Sequence, residues 1–98
     1  MSGVQRFRKL PVVVDAIQWD GSNEEEIAAW SADLFRQLEP EDRANCADPD
    51  ATAEVFDKLH STWVLVLPGQ WVVRGVKGEF YPIAADVLAE TYEPVASG

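Results

Sequence analysis

The apolar positions in the first part of the chain change from a strand-like to a helix-like spacing. Residues 10–19 are rich in β-branched side chains and carry no helical period, which predicts a β-strand. Pro11, near the beginning of this segment, suits the first residue of a strand or an edge strand. Residues 20–23 then supply turn residues and an N-cap for a helix.

The next segment has the spacing of an amphipathic helix. Four apolar residues recur at intervals of three and four: Ile27, Trp30, Leu34 and Leu38. Three glutamates crowd the first turn, where the helix dipole favours negative charge. We expect a helix over about residues 23–38, and Pro40 is expected to end it.

The rest of the chain has no second long helical pattern. Residues 39–52 hold two prolines and many acidic side chains, which predicts a long acidic loop. Short β-branched and aromatic runs then predict four strands, the first with a helical turn as its alternative: 53–59, 62–67, 71–74 and 79–82. Pro68 and Gly69 predict a type II turn over residues 67–70, and a further turn is expected at 76–78.

The order of these elements defines a fold class. A short helix is expected over about residues 84–90, and residues 91–95 can return as a last strand. Because adjacent strands joined by tight turns form antiparallel sheets, we expect an α+β fold. It would comprise a small antiparallel sheet packed by one main helix, plus a short C-terminal helix. The 98 residues are room for a single domain, spanning 1–98.

Composition limits the class of protein. Hydrophobic residues make up 47% of the chain, which is too apolar for a disordered protein. No apolar run approaches the roughly 20 residues of a membrane span, and no signal-peptide pattern follows the basic N-terminal residues. The single cysteine, Cys46, excludes an internal disulfide framework and a multi-cysteine zinc site. We expect a soluble, cytoplasmic protein that is not secreted and has no membrane partner.

The net charge of −9 is unevenly distributed along the chain. Residues 1–14 carry three basic and no acidic side chains, whereas residues 15–57 carry thirteen acidic and two basic ones. This field repels phosphate, so we expect no non-specific nucleic-acid binding. Solubility is the simplest explanation of the acidic middle. The alternatives are imitation of a phosphate backbone and attraction of a basic protein surface, including the basic end of a second copy.

Few residues have the spacing of a catalytic or metal site. The segment Gly75–Gly78 with Lys77 lacks the spacing of a P-loop or a dinucleotide fingerprint, and positive φ angles in a turn between strands explain both glycines. His60 is the single histidine and cannot form a multi-histidine metal site; a hydrogen bond at a strand end is its simpler role. Neither Ser61 nor Cys46 lies in a nucleophile-elbow sequence. We assign no catalytic residue, no metal ligand and no cofactor.

The last predicted hairpin holds the candidate binding residues. Its aromatic side chains lie on neighbouring predicted strands, where core stacking and an exposed patch for a protein partner are the two interpretations. The basic side chains of this hairpin, Arg74 and Lys77, would pair with an anionic ligand. Its one acidic side chain, Glu79, is either a binding group or the intramolecular charge partner of these two. The predicted binding set is Trp71, Arg74, Lys77, Glu79, Phe80 and Tyr81.

Two segments of the chain resemble a known family. Residues 8–19, RKLPVVVDAIQW, are similar to the family's opening pattern RKxPVVVxAIQW. Residues 68–82, PGQWVVRGVKGEFYP, are similar to its C-terminal motif PGxWxxxGVKGEFYP, with Gln70 in place of the usual Asp. The family comprises small phage and prophage proteins, and residues 20–52 fall in its variable middle. The resemblance implies a phage or prophage protein in the host cell, and it brings no catalytic residue or cofactor.

These observations favour a non-enzymatic phage accessory protein that acts by binding a host or phage protein. The first alternative is a small-ligand or nucleotide binder, or a weak hydrolase, that uses Lys77, Glu79 and His60. A further alternative is a minor virion component. Self-association of the chain is compatible with each of them.

Overall fold

The computed structural model describes residues 3–8 and 11–95. Within them, strands and helices follow in this order: β1 (Asp15–Gln18), α1 (Glu24–Trp30), β2 (Phe35–Gln37), α2 (Pro40–Ala44), β3 (Ala53–Asp57), β4 (Thr62–Val66), β5 (Trp71–Arg74), β6 (Phe80–Ile83) and α3 (Ala85–Thr91). Part of the first predicted strand, residue 10, lies outside the described residues. The described part of that segment becomes regular strand only from Asp15.

The α+β class is confirmed, but the strands form two sheets where one was expected. The first sheet has the order β1-β5-β6 and the second has the order β2-β3-β4, and every pairing is antiparallel. The unexpected strand of the second sheet is β2, which forms in the segment that was predicted to be helical. β2 pairs with β3. All three helices are short, so the sheets dominate the fold.

The main helix ends at Trp30, so the prediction that it continues to residue 38 was wrong. Ala32 and Asp33 adopt left-handed conformations, with φ of 56° and 65°, which turn the chain out of the helix. Phe35 then enters β2 with its side chain only 2% exposed. Burial of this ring, together with the β2–β3 hydrogen bonds, outweighs the local helical preference of the segment.

Replacing Ala32 by glycine is expected to raise the free energy of unfolding by roughly 0.5–1 kcal/mol, because glycine has no Cβ to clash at positive φ. The control is Ala29→Gly, at an exposed position inside α1, which should lower stability by roughly 0.5–1 kcal/mol. Urea denaturation of the two variants measures both effects. Destabilisation by the Ala32 change would contradict the left-handed turn.

The hydrophobic core lies between the two sheets. Trp19 is fully buried, its ring meets Phe35 edge-on at 5.2 Å, and its indole N–H donates to the Thr52 hydroxyl at 2.9 Å. The buried cluster draws on both sheets and on α1: Trp19, Ile27, Phe35, Ala53, Val55, Val66, Val72 and Phe80.

The four strands predicted in the second half of the chain are confirmed, with bounds close to the predicted ones. The type II turn before β5 is present: the Gln70 N–H donates to the Leu67 carbonyl at 3.1 Å, and Gly69 has φ 91°. The short C-terminal helix is confirmed as α3.

Two other predictions need correction. The segment 39–52 is not wholly a loop, because Pro40 begins the short helix α2. Proline suits this position, since its missing N–H would be unsatisfied there in any case. Residues 92–95 form no strand. In the part of the chain that the structure describes, no helix is long and apolar enough to cross a membrane.

Candidate functional site

Four of the six predicted binding residues lie in β5 and β6, and they divide between the two faces of the first sheet. Successive side chains of a strand point to opposite faces, and Phe80 belongs to the core cluster. Its neighbour Tyr81 therefore points to the other face of the sheet, here called the outer face, which is itself buried at Val73. The register pairs Tyr81 with Val73 and places Trp71, two residues away, on the same face.

Arg74 and Phe80 lie on the core-facing side. The Phe80 ring meets the Trp30 ring edge-on at 5.1 Å and is 4% exposed. The Arg74 guanidinium donates to the Asp15 carboxylate at 2.6 Å and lies 5.7 Å from the centre of the Trp30 ring. These contacts make Phe80 a core residue and give Arg74 an intramolecular partner, so neither shares a surface with Tyr81.

The β5–β6 turn, residues 75–78, is closed by two backbone hydrogen bonds. The Gly75 N–H donates to the Glu79 carbonyl at 2.7 Å, and the Gly78 N–H donates to the Gly75 carbonyl at 3.0 Å. Gly78 has φ 80°, as the sequence predicted. The same explanation was wrong for Gly75, which is not in the left-handed region. A Cβ at position 75 would overlap the Glu79 carboxylate, so a larger residue there would require this side chain to move.

The Glu79 carboxylate is thus folded back over its own turn. Its Oε2 accepts a hydrogen bond from the Lys77 backbone N–H at 3.0 Å. Arg74 is occupied by Asp15, and within residues 3–8 and 11–95 no ion pair involves the Lys77 ammonium. Among the described residues, the carboxylate therefore makes one hydrogen bond, which holds the turn.

A cleft of ≈ 280 Å³ opens beside this turn on the outer face. We call it the turn cleft, and its lining residues are Val12, Val14, Gly75, Val76, Glu79, Tyr81 and Tyr92. Of the predicted set, Glu79 and Tyr81 line it and the exposed Lys77 lies in the adjoining turn. Trp71 shares the outer face without lining the cleft.

The two phenols of the turn cleft interact with each other. The Tyr81 hydroxyl is hydrogen-bonded to Tyr92. Burial raises the pKa of Tyr81, and the nearby Tyr92 and the negative charge of Glu79 raise it further. The cleft therefore combines valine walls, two neutral phenol rings and one carboxylate.

His60 lies elsewhere, at the tip of the β3–β4 hairpin in the second sheet. Its Nδ1 is 2.7 Å from the Asp57 carboxylate at the end of β3, which confirms the expected hydrogen bond at a strand end. Lys77 and Glu79 belong to the β5–β6 turn of the other sheet. His60 does not line the turn cleft, which Glu79 lines.

The Asp57–His60 contact predicts a pH dependence. The hydrogen bond to His60, followed by the backbone N–H groups of Leu59 and His60, lowers the pKa of Asp57 below its ordinary 3.8. A carboxylate with a lowered pKa in the folded state stabilises the protein above pH 3.8, and this contribution is lost as pH falls further. Thermal unfolding should therefore show a smaller loss of Tm between pH 5 and pH 3 in Asp57→Asn than in the wild type. Identical losses would contradict the assignment.

Trp63 forms a second surface feature, on the second sheet. The Arg36 guanidinium lies 4.2 Å from the centre of the Trp63 ring, and the Phe56 ring meets Trp63 edge-on at 5.4 Å. Trp63 is 37% exposed on the solvent side of the second sheet. The alternation in β3, where Ala53 and Val55 are buried and Phe56 is not, is the signal that could have placed it there.

A larger, open depression of ≈ 750 Å³ lies over β2 and α2 and is lined by several acidic residues. Two of its carboxylates have partners: Glu24 accepts a hydrogen bond from the Gln37 N–H, and Glu54 pairs with Arg36. Within the described ranges, no group of three or more His, Cys, Asp or Glu side chains is placed to hold a metal ion.

Comparison of the chain with protein-family models, with curated proteins and with solved structures finds no match. The resemblance to phage and prophage proteins therefore stays a prediction from the two sequence motifs. The functional argument rests on the geometry of the turn cleft.

Proposed function

We propose that the chain is a non-enzymatic phage or prophage accessory protein, which acts in the host-cell cytoplasm by binding a host or phage protein through the turn cleft. The observation that carries this proposal is the exposed apolar rim of the cleft. Val76 is 69% exposed and Val12 is 37% exposed, beside two tyrosines. Exposed apolar surface around a concave site is typical of protein-interaction surfaces, where tyrosine is also enriched.

The β5–β6 turn supports the proposal because it is held in one shape. Two backbone hydrogen bonds close the turn, and the Glu79 side chain adds a third through the Lys77 N–H. A surface that is ordered before binding loses little conformational entropy when a partner docks. Val76 extends from this fixed turn, so its exposure is built into the hairpin.

The small-ligand alternative gains no support from the same geometry. The ionised group in the turn cleft is a carboxylate, and the chain carries a net charge of −9, so a phosphate group would be repelled. His60 interacts with Asp57 on the second sheet and does not line the turn cleft.

Affinity capture with tagged protein tests the proposal. Lysates of host cells before and after infection are compared for wild type, Val76→Asn and the control Leu59→Asn, which changes a residue 56% exposed on the other sheet's hairpin. We expect a stoichiometric partner with the wild type and Leu59→Asn, and weakened capture with Val76→Asn, because this change replaces an apolar rim contact by a neutral polar one. Full capture of the partner by Val76→Asn would contradict binding through the turn cleft.

A further inference from the structure

The walls of the turn cleft match the two parts of a basic side chain. Val12, Val14 and Val76 offer apolar contact for an aliphatic stem, as Lys and Arg stems use elsewhere. Tyr81 offers an aromatic ring to which a cation is attracted.

The Glu79 carboxylate is placed to receive the charged end. Its one hydrogen bond in the described part of the chain comes from the Lys77 backbone, and the absence of a Cβ at Gly75 lets it lie over the turn. A charge-assisted hydrogen bond from an ammonium or guanidinium group would use its remaining lone pairs. The basic residue nearest in the sheet, Arg74, is bound to Asp15 on the opposite face.

Size and charge point to the same occupant. The cleft volume of ≈ 280 Å³ lies just below the range of about 300–1,000 Å³ typical of cofactor and drug-sized ligand sites, which suits one side chain. Glu79 is the one charged side chain among the residues that line the cleft, and its negative charge favours a cationic occupant.

From this arrangement we infer that the turn cleft takes a lysine or arginine side chain of the partner polypeptide, with the valines against its stem, Tyr81 beside its charged end and Glu79 as its counter-ion. The inference rests on the proposed function and names the chemistry of the partner. It assigns the specificity of the cleft to a single carboxylate.

An NMR titration with blocked five-residue peptides tests this assignment. The probes carry a central arginine or lysine between glycines, and the matched controls carry citrulline or acetyl-lysine, which keep the shape and lack the charge. We expect saturable shifts of the Val76, Tyr81 and Tyr92 amides with the charged peptides only, weakened by added salt. Equal shifts with the neutral peptides, or none with the charged ones, would overturn the inference.

Three variants test whether the Glu79 carboxylate is the group that binds the charged peptides. Glu79→Gln keeps an acceptor for the Lys77 N–H and should weaken charged-peptide binding by roughly tenfold. Gly75→Ala displaces the Glu79 carboxylate and should weaken charged-peptide binding to a similar extent. Gly78→Ala meets no atom within 4 Å, so it should bind like the wild type although its φ of 80° is strained for alanine. Wild-type binding by Glu79→Gln would overturn the inference.

The same variants separate this inference from the function on which it rests. If Val76→Asn weakens capture of the partner while Glu79→Gln keeps it fully, the cleft is a docking surface but the basic-side-chain assignment is wrong. If the partner is lost with Glu79→Gln and Gly75→Ala and kept with Gly78→Ala, the assignment holds in the full complex.

Discussion

Truncation of Trp19 to alanine is expected to lower the free energy of unfolding by about 3–5 kcal/mol. Trp19 is fully buried between the sheets, its ring lies against Phe35, and its N–H satisfies the Thr52 hydroxyl. The change removes the largest fully buried side chain and leaves a cavity that the surrounding strands cannot close. Because a domain of this size has a total stability of roughly 5–15 kcal/mol, the variant is expected to be marginally folded.

Trp63→Ala is the matched control, because it removes the same side chain from a position that is 37% exposed. It loses the contacts with Arg36 and Phe56, and we expect a cost of about 1 kcal/mol. Urea denaturation followed by far-UV circular dichroism compares the two variants without relying on tryptophan fluorescence. Equal costs would contradict the placement of the core between the sheets.

Truncation of Phe80 to alanine is the second change with a large expected effect, and it should lower the free energy of unfolding by about 3–5 kcal/mol. Its ring is 4% exposed and packs edge-on against Trp30, so it supports the core and does not reach the turn cleft. The next residue, Tyr81, has the opposite orientation, and Tyr81→Phe should change stability by less than about 1.5 kcal/mol.

Denaturation and peptide titration together test this division between adjacent residues. We expect Phe80→Leu, which keeps most of the buried volume, to retain peptide binding, whereas Tyr81→Ala should weaken it. Loss of peptide binding in a folded Phe80→Leu variant would show that the two residues share one surface, contrary to the alternation in β6.

The part of the fold that local chemistry specifies could be predicted from the sequence. Pro68 and Gly69 define a turn by their own dihedral preferences, and Gly78 does so for the next turn. The strands between these turns are short, so their bounds follow from the turns. The α+β class followed from this run of adjacent strands.

The second sheet could not be predicted, because its first strand is stabilised by distant partners. Leu34 and Leu38 match the helical spacing of Ile27, yet the chain leaves the helix at Ala32. What decides the structure is the burial of Phe35 and its pairing with Val55, twenty residues later in the chain. A periodic pattern contains no information about that partner.

Only part of the candidate site could be predicted from the sequence, because some of its residues are also brought together by distant pairing. Glu79 and Tyr81 were identified because they lie in one hairpin, whereas Val12 and Tyr92 come from opposite ends of the described chain. Their meeting depends on the order β1-β5-β6, which the sequence does not specify. The separation of Arg74 and Phe80 from Tyr81 follows from strand alternation and was within reach of the sequence alone.

Site-specific photo-crosslinking tests most directly the claim that the chain binds its partner through the turn cleft. A benzophenone amino acid is incorporated at position 76, on the rim of the cleft, or at position 59, on the hairpin of the second sheet, and infected host cells are irradiated. We expect a covalent adduct with one partner protein from position 76 and none from position 59. Adducts from position 59 alone would contradict the account and move the interaction surface to the other sheet.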